Sequence, residues 1–180
     1  ISQSIFRVYN RKDLTSWDIA PQQHLPIYGV YHIMLDEGWE TLAQDQLKSL
    51  KESGLFLLHY ISGLKESEGD AWIKKYIFPG GVIPSLREII SISSEYKYHI
   101  LDVESLRLHY KKTLLMWAKN FDNNIDKIKA MFDDEFIRMW RMYLYSCAAS
   151  FNNGVIDLHQ ILFVKGVNNN LPMTRSYMYK

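Results

Sequence analysis

Leu55-Phe56-Leu57-Leu58-His59-Tyr60-Ile61 is an almost unbroken apolar run, closed off by Gly54 and Gly63. It is too short for an independent helix and lacks polar alternation, so it reads as a strand buried on both faces, of the parallel-sheet kind. Such a strand needs neighbours in a sheet and helices over the faces, which points to an α/β chain. The surrounding sequence supplies both. Trp39, Leu42, Ala43, Leu47 and Leu50 recur at helical spacing among polar residues, so Trp39 to Glu52 predicts an amphipathic helix, capped near Ser53-Gly54. Before it, Pro21 and Pro26 limit residues 1 to 28 to short helical pieces and loop.

Beyond the run, Trp72 to Phe78 fits a short helix and Pro79-Gly80-Gly81 a turn. Ser85 is placed to N-cap a helix whose apolar face holds Leu86, Ile89, Ile90 and Ile92. Tyr96 to Val103 reads as a second strand and Val155 to Val164 as a third. Between them, Leu106 to Phe121 is helical, with Leu106, Tyr110, Leu114 and Trp117 on one stripe, and Asp122-Asn123-Asn124 breaks it. Asp126 to Phe132 and Glu135 to Phe151 then give a broken helix or helical pair.

Composition narrows the function more by exclusion than by assignment. Lys plus Arg number 21 against 20 Asp plus Glu, so there is no field to attract nucleic acid. The one cysteine, Cys147, has no partner for an internal disulfide, and no Cys/His cluster has zinc spacing, which suits a reducing cytoplasm and no metal. No apolar stretch approaches the ~20 residues that cross a bilayer. Aromatics make up 14% of the chain, consistent with a Tyr-rich core or with an aromatic-lined channel for an apolar ligand. A lone histidine such as His59 is, by itself, more often a satisfied structural residue. Arg138 and Arg141 fit either solvated helix faces or contacts with phospholipid head groups.

Gly54 to Ile61, followed by Trp72-Ile73-Lys74-Lys75-Tyr76-Ile77-Phe78-Pro79-Gly80-Gly81, closely resembles consecutive blocks of the cyclopropane-fatty-acyl-phospholipid synthases. Leu106-Arg107-Leu108-His109-Tyr110 with Trp117, then Phe136 to Cys147, and Asp157 to Gly166 resemble the family's next blocks in the same order. Residues 7 to 50 resemble, more weakly, the segment before the catalytic core and its first helix. In the family a long stretch separates that helix from the strand matching Leu55. Here almost nothing does, so a break in the chain is expected between residues 36 and 55.

The resemblance implies the C-terminal part of a Rossmann-like class I methyltransferase sheet with inserted helices (54–180), preceded by a short helical N-terminal segment and the start of the core (1–53). The intervening stretch would hold the glycine-rich turn for the methyl donor, and no G-x-G-x-G occurs in this chain. The implied activity is transfer of a methylene group from S-adenosylmethionine to a cis double bond of a phospholipid acyl chain, with bound bicarbonate as base. His59 through its imidazole, Ile61 through its backbone N–H and Tyr110 through its hydroxyl match the family's anion contacts. Tyr76, Phe78 and Trp117 are candidates for the acyl channel, with core packing the alternative for each. The implied setting is the cytoplasmic face of the inner membrane, with acyl chains as partners and a homodimer allowed. The competing reading is an inactive remnant that keeps a lipid-binding or interaction role.

Overall fold

The computed structural model describes residues 7–9 and 51–178, and among them stand four strands, five α-helices and a short 3-10 helix at Arg175–Met178. The strands are β1 (Arg7–Tyr9), β2 (Leu55–Gly63), β3 (Tyr98–Ser105) and β4 (Ile156–Lys165). The helices are α1 (Ala71–Tyr76), α2 (Leu86–Glu95), α3 (Arg107–Asn123), α4 (Ile125–Lys129) and α5 (Asp134–Asn153). They form one sheet in the order β1-β2-β4-β3. The three strands expected from sequence therefore share a sheet, with the last antiparallel to the first.

Two expectations need correction. The run at Leu55 is not a parallel strand: β2 pairs antiparallel with β1 on one side and with β4 on the other. Burial on both faces, which the run signals, comes here from helices flanking an antiparallel sheet. Arg7–Tyr9 is a strand rather than a helical piece. Lys51–Gly54 forms a turn in which the Gly54 N–H donates to the Lys51 carbonyl at 2.9 Å. There the left-handed residue is Ser53, at φ 63°, and not the glycine. The rest of the stretch expected to contain a break, and the helix from Trp39 up to residue 50, lie outside the described residues.

Alternation along β2 sorts its side chains onto two layers. Phe56, Leu58 and Tyr60 join Ile161, Phe163 and Tyr98 beneath Ile89 of α2. On the opposite face, Leu158 lies under Leu114 and Ala118 of α3 and Leu144, Ala148 and Phe151 of α5. A smaller cluster of Leu55, Leu162 and Val164 closes one end. Ile89 is the one buried apolar residue of α2, and Ile90 stays exposed, so the apolar face of that helix is narrower than its sequence suggests.

The ends of the helices carry their own signals. Ser85 and Glu88 form a reciprocal capping box at the start of α2, and Ser85 Oγ also donates to Glu66 Oε1 at 2.8 Å. Asp133 caps α5, its Oδ1 accepting from the Phe136 N–H at 2.8 Å, and Gly154 ends that helix at φ 72°. Arg107 joins the start of α3 to the end of α5: its Nη1 donates to the carbonyls of Phe151 (2.5 Å) and Asn152 (2.8 Å).

A polar chain crosses the sheet on the α2 side. The fully buried Ser62 shares a 2.7 Å hydrogen bond with His159 Nδ1, and His159 Nε2 lies 3.7 Å from Asp157. Ser105 Oγ donates to the Asp157 carboxylate at 2.8 and 2.9 Å. These four residues join β2, β4 and the end of β3.

Two substitutions gauge the forces involved. Phe151→Ala, which empties the middle of the α3–α5 core, is expected to lower unfolding free energy by about 3–5 kcal/mol in urea titration. Gly154→Ala meets nothing within 4 Å of the added methyl, so only the left-handed backbone opposes it. Its expected cost is about 1 kcal/mol. A loss at Gly154 as large as that at Phe151 would show that the turn, and not the core, dominates this half of the fold.

Candidate functional site

Leu57, His59 and Ile61 project from β2 toward the α3–α5 layer, opposite to Phe56, Leu58 and Tyr60. His59 is paired directly across from Gln160 of β4. The Gln160 side-chain Nε2 lies 3.0 Å from His59 Nδ1. Because the amide nitrogen donates, Nδ1 accepts, and the neutral ring then carries its hydrogen on Nε2. The Gln160 contact thus favours the His59 tautomer that donates through Nε2.

Ile61 lies two positions further on and packs against the cluster that α3 and α5 build over Leu158. Its backbone direction follows from the ladder. The Lys165 N–H donates to Gly54, and the Leu158 carbonyl accepts from Leu106 on the β3 side, so the Ile61–Leu158 pair is one without mutual hydrogen bonds. The Ile61 N–H therefore points to the β1 side of β2, the edge on which the Gly63 N–H donates to Pro84 at 3.1 Å.

Tyr110, in the first turn of α3, belongs to the same cluster as Ile61. Its ring meets Phe151 edge-on at 5.0 Å and Trp117 edge-on at 6.0 Å. Burial raises the Tyr110 hydroxyl above the ordinary phenol range, with Cys147 adding to the effect, so at neutral pH it stays an O–H donor. Cys147 is pushed up to about 11 by burial, leaving a neutral thiol unsuited to nucleophilic attack.

The three channel candidates occupy different surroundings. Phe78 packs in this cluster, edge-on to Tyr143 at 6.0 Å. Trp117 combines its contact with Tyr110 with 40% exposure, so it connects the cluster to the surface. Tyr76 is exposed; it contacts Trp72 at 5.5 Å and lies under Lys75 Nζ at 4.9 Å. Among the described residues, no group of His, Cys, Asp and Glu is arranged to hold a metal ion.

Residues 27–161 match the family model described as mycolic acid cyclopropane synthetase. The chain is 39% identical over 141 residues to a probable fatty acid methyltransferase of Pseudomonas putida, covering 73% of this chain and 36% of that protein. It is 38% identical over 148 residues to the cyclopropane-fatty-acyl-phospholipid synthase of Escherichia coli K12, covering 82% and 38%. The solved structure of mycolic acid cyclopropane synthase CmaA1, complexed with SAH and CTAB, superposes with a TM-score of 0.69 at 28% identity, over 76% of this chain and 53% of that one. The described fold is accordingly the C-terminal part of an α/β class I methyltransferase, its sheet interrupted by inserted helices. The chain belongs to the mycolic acid cyclopropane synthetase family, and it spans a little over a third of the length of the curated relatives it matches.

Gln160 is the residue that sequence reading passes over. Its only signal is the register of β2 against β4, which aligns positions 59 and 160 and is invisible before the strands are paired. Nitrogen-15 NMR on histidine-labelled chain is expected to show neutral His59 as the Nε2–H tautomer. In Gln160→Leu that preference is expected to give way to a mixture. A wild-type ring protonated on Nδ1 would remove Gln160 from the site.

Proposed function

We propose that the polypeptide carrying this chain is an S-adenosylmethionine-dependent methyltransferase that converts a cis double bond of a phospholipid acyl chain into a cyclopropane. The observation that carries the proposal is the placement of His59, Ile61 and Tyr110 on the α3–α5 face of the sheet, with Ile61 and Tyr110 in one apolar cluster. Residues 54–180 are the C-terminal part of the catalytic domain in this reading. Residues 1–53 form an N-terminal segment and the start of the core.

In the reaction, the double bond attacks the sulfonium methyl, releasing S-adenosylhomocysteine and leaving a carbocation. A base then takes a proton from the added methyl, and the C–H electron pair closes the ring. A bicarbonate held beside the donors of the site would supply that base. On this chain, the His59 Nε2–H and the Tyr110 O–H are the donors that would hold the anion, together with the Ile61 N–H. Donors of this kind are strongest where water is excluded, which is the environment that the Leu158–Phe151 cluster provides. Trp117 and Phe78 would flank the acyl chain, their ring faces also stabilising positive charge. Tyr76, being exposed, suits the mouth of the channel. The enzyme would work at the cytoplasmic face of the inner membrane.

The test supplies radiolabelled S-adenosylmethionine and vesicles with cis-unsaturated acyl chains, and identifies the product by mass spectrometry. Tyr110→Phe keeps the ring contacts and removes one donor, so kcat is expected to fall roughly 10²-fold. The ring contacts with Phe151 and Trp117 are retained by phenylalanine, so stability should change little. A Tyr110→Phe enzyme of undiminished activity would refute the site. Vesicle binding with no methylated product in the wild type would favour an inactive lipid-binding remnant.

A further inference from the structure

α3 and α5 each leave a stripe of mixed apolar and basic side chains in solvent, on the side away from the sheet. On α3 the stripe is Leu108, Lys112, Leu115 and Lys119, at successive spacings of four, three and four, with Leu108 52% and Leu115 38% exposed. On α5 it is Arg138, Met142 and Tyr145, spaced four and three, with Met142 47% and Tyr145 46% exposed.

Hydrogen bonds between the helices set these stripes side by side. Asp122, near the end of α3, binds Arg141 Nε at 2.6 Å and accepts from the Tyr145 hydroxyl at 3.3 Å. Lys111, near the start of α3, donates to Asn152 at 2.8 Å. The helices are therefore antiparallel, and the stretch with Leu115 and Lys119 runs beside the stretch with Tyr145. Core packing does not explain these side chains, since the buried positions of the same helices, Leu114, Ala118, Leu144 and Ala148, turn the other way.

Charge identifies the occupant. α3 carries Arg107, Lys111, Lys112 and Lys119 against one carboxylate, Asp122, which is already bound to Arg141. Asp134 and Glu135 lie one turn before Arg138 on α5, so the uncompensated positive charge of this face is that of Lys112 and Lys119 on α3. Apolar side chains ringed by lysine and arginine on a helix surface match the boundary between anionic head groups and acyl chains. α3 also carries Tyr110 and, partly exposed, Trp117, so the same helix links this face to the cluster where an acyl chain would react.

We propose that the outer face of the α3–α5 pair is the surface by which this protein docks on an anionic phospholipid bilayer, Leu115, Met142 and Tyr145 entering the interface and Lys112 and Lys119 meeting head groups. The proposal rests on the reading above for its choice of lipid, and names where the lipid is met.

The purified chain is tested by flotation with phosphatidylglycerol and phosphatidylcholine vesicles at low and high salt. Lys112→Glu/Lys119→Glu is expected to weaken binding to phosphatidylglycerol about 30-fold or more, and high salt to weaken wild-type binding likewise. Leu115→Ser/Tyr145→Ser is expected to reduce binding while preserving its salt dependence. Lys51→Glu/Lys65→Glu, the same charge change at exposed positions outside the two helices, is expected to leave binding close to wild type. All substituted positions except Lys51 and Lys65 are exposed helix residues, and circular dichroism checks that each variant is folded; Lys112→Gln/Lys119→Gln gives a milder second series. Equal binding to both lipids, or binding unmoved by either double variant of the face, would overturn the proposal. So would a lipid-free dimer, detected by light scattering, that Leu115→Ser/Tyr145→Ser dissolves, because the face would then join two copies. Flotation needs no turnover: a chain that docks as described but transfers no methyl group refutes only the catalytic reading, and an active chain indifferent to these substitutions refutes only the docking face.

Discussion

The antiparallel pairing of β2 with β4, held in one register from Leu55–Val164 to Gly63–Ile156, governs where every other part of the structure lies. β4 is bonded on both sides, to β2 and to β3, so the helices before and after it must return to a fixed line. A slip of one residue in β2 would turn His59 and Ile61 toward α2 and send Phe56, Leu58 and Tyr60 to the α3–α5 side. Both hydrophobic layers would be lost at once. The alternation therefore protects the core and, through it, the side on which the candidate donors stand.

Much of this was legible because burial leaves a one-dimensional trace. The apolar run at Leu55, the Ser85 cap before Leu86 and the stripe of Leu114 in α3 each mark a local element, and each element forms close to its expected bounds. Strand direction was less accessible. A strand covered on both faces has the same composition whether its neighbours run parallel or antiparallel, so the run at Leu55 suggested the wrong sense. Ser53, and not Gly54, takes the left-handed turn position, because the adjoining strand needs Gly54 to accept from Lys165.

The candidate site divides in the same way. His59 and Tyr110 stand out through family resemblance, and their shared side of the sheet follows from strand alternation and helix packing. The tautomer of His59 depends on Gln160, about a hundred positions away, and no local pattern announces that pair. The polar chain of Ser62, His159, Asp157 and Ser105 was equally hidden. Its members lie on three strands, and His159, taken singly, looked like any structural histidine.

Arg107 gives the helical insertion an architectural property of its own. By binding the last carbonyls of α5, it brings the entry and exit of the whole segment from α3 to α5 together at the sheet. The segment is in effect a closed loop, clasped at its base and open at the α4 tip. Residues added to or removed from that tip leave the strands at the base undisturbed, and the entropy of closure changes only slowly with length. Descendants of this chain are thus free to lengthen, shorten or rebuild the tip while the sheet beneath keeps its register.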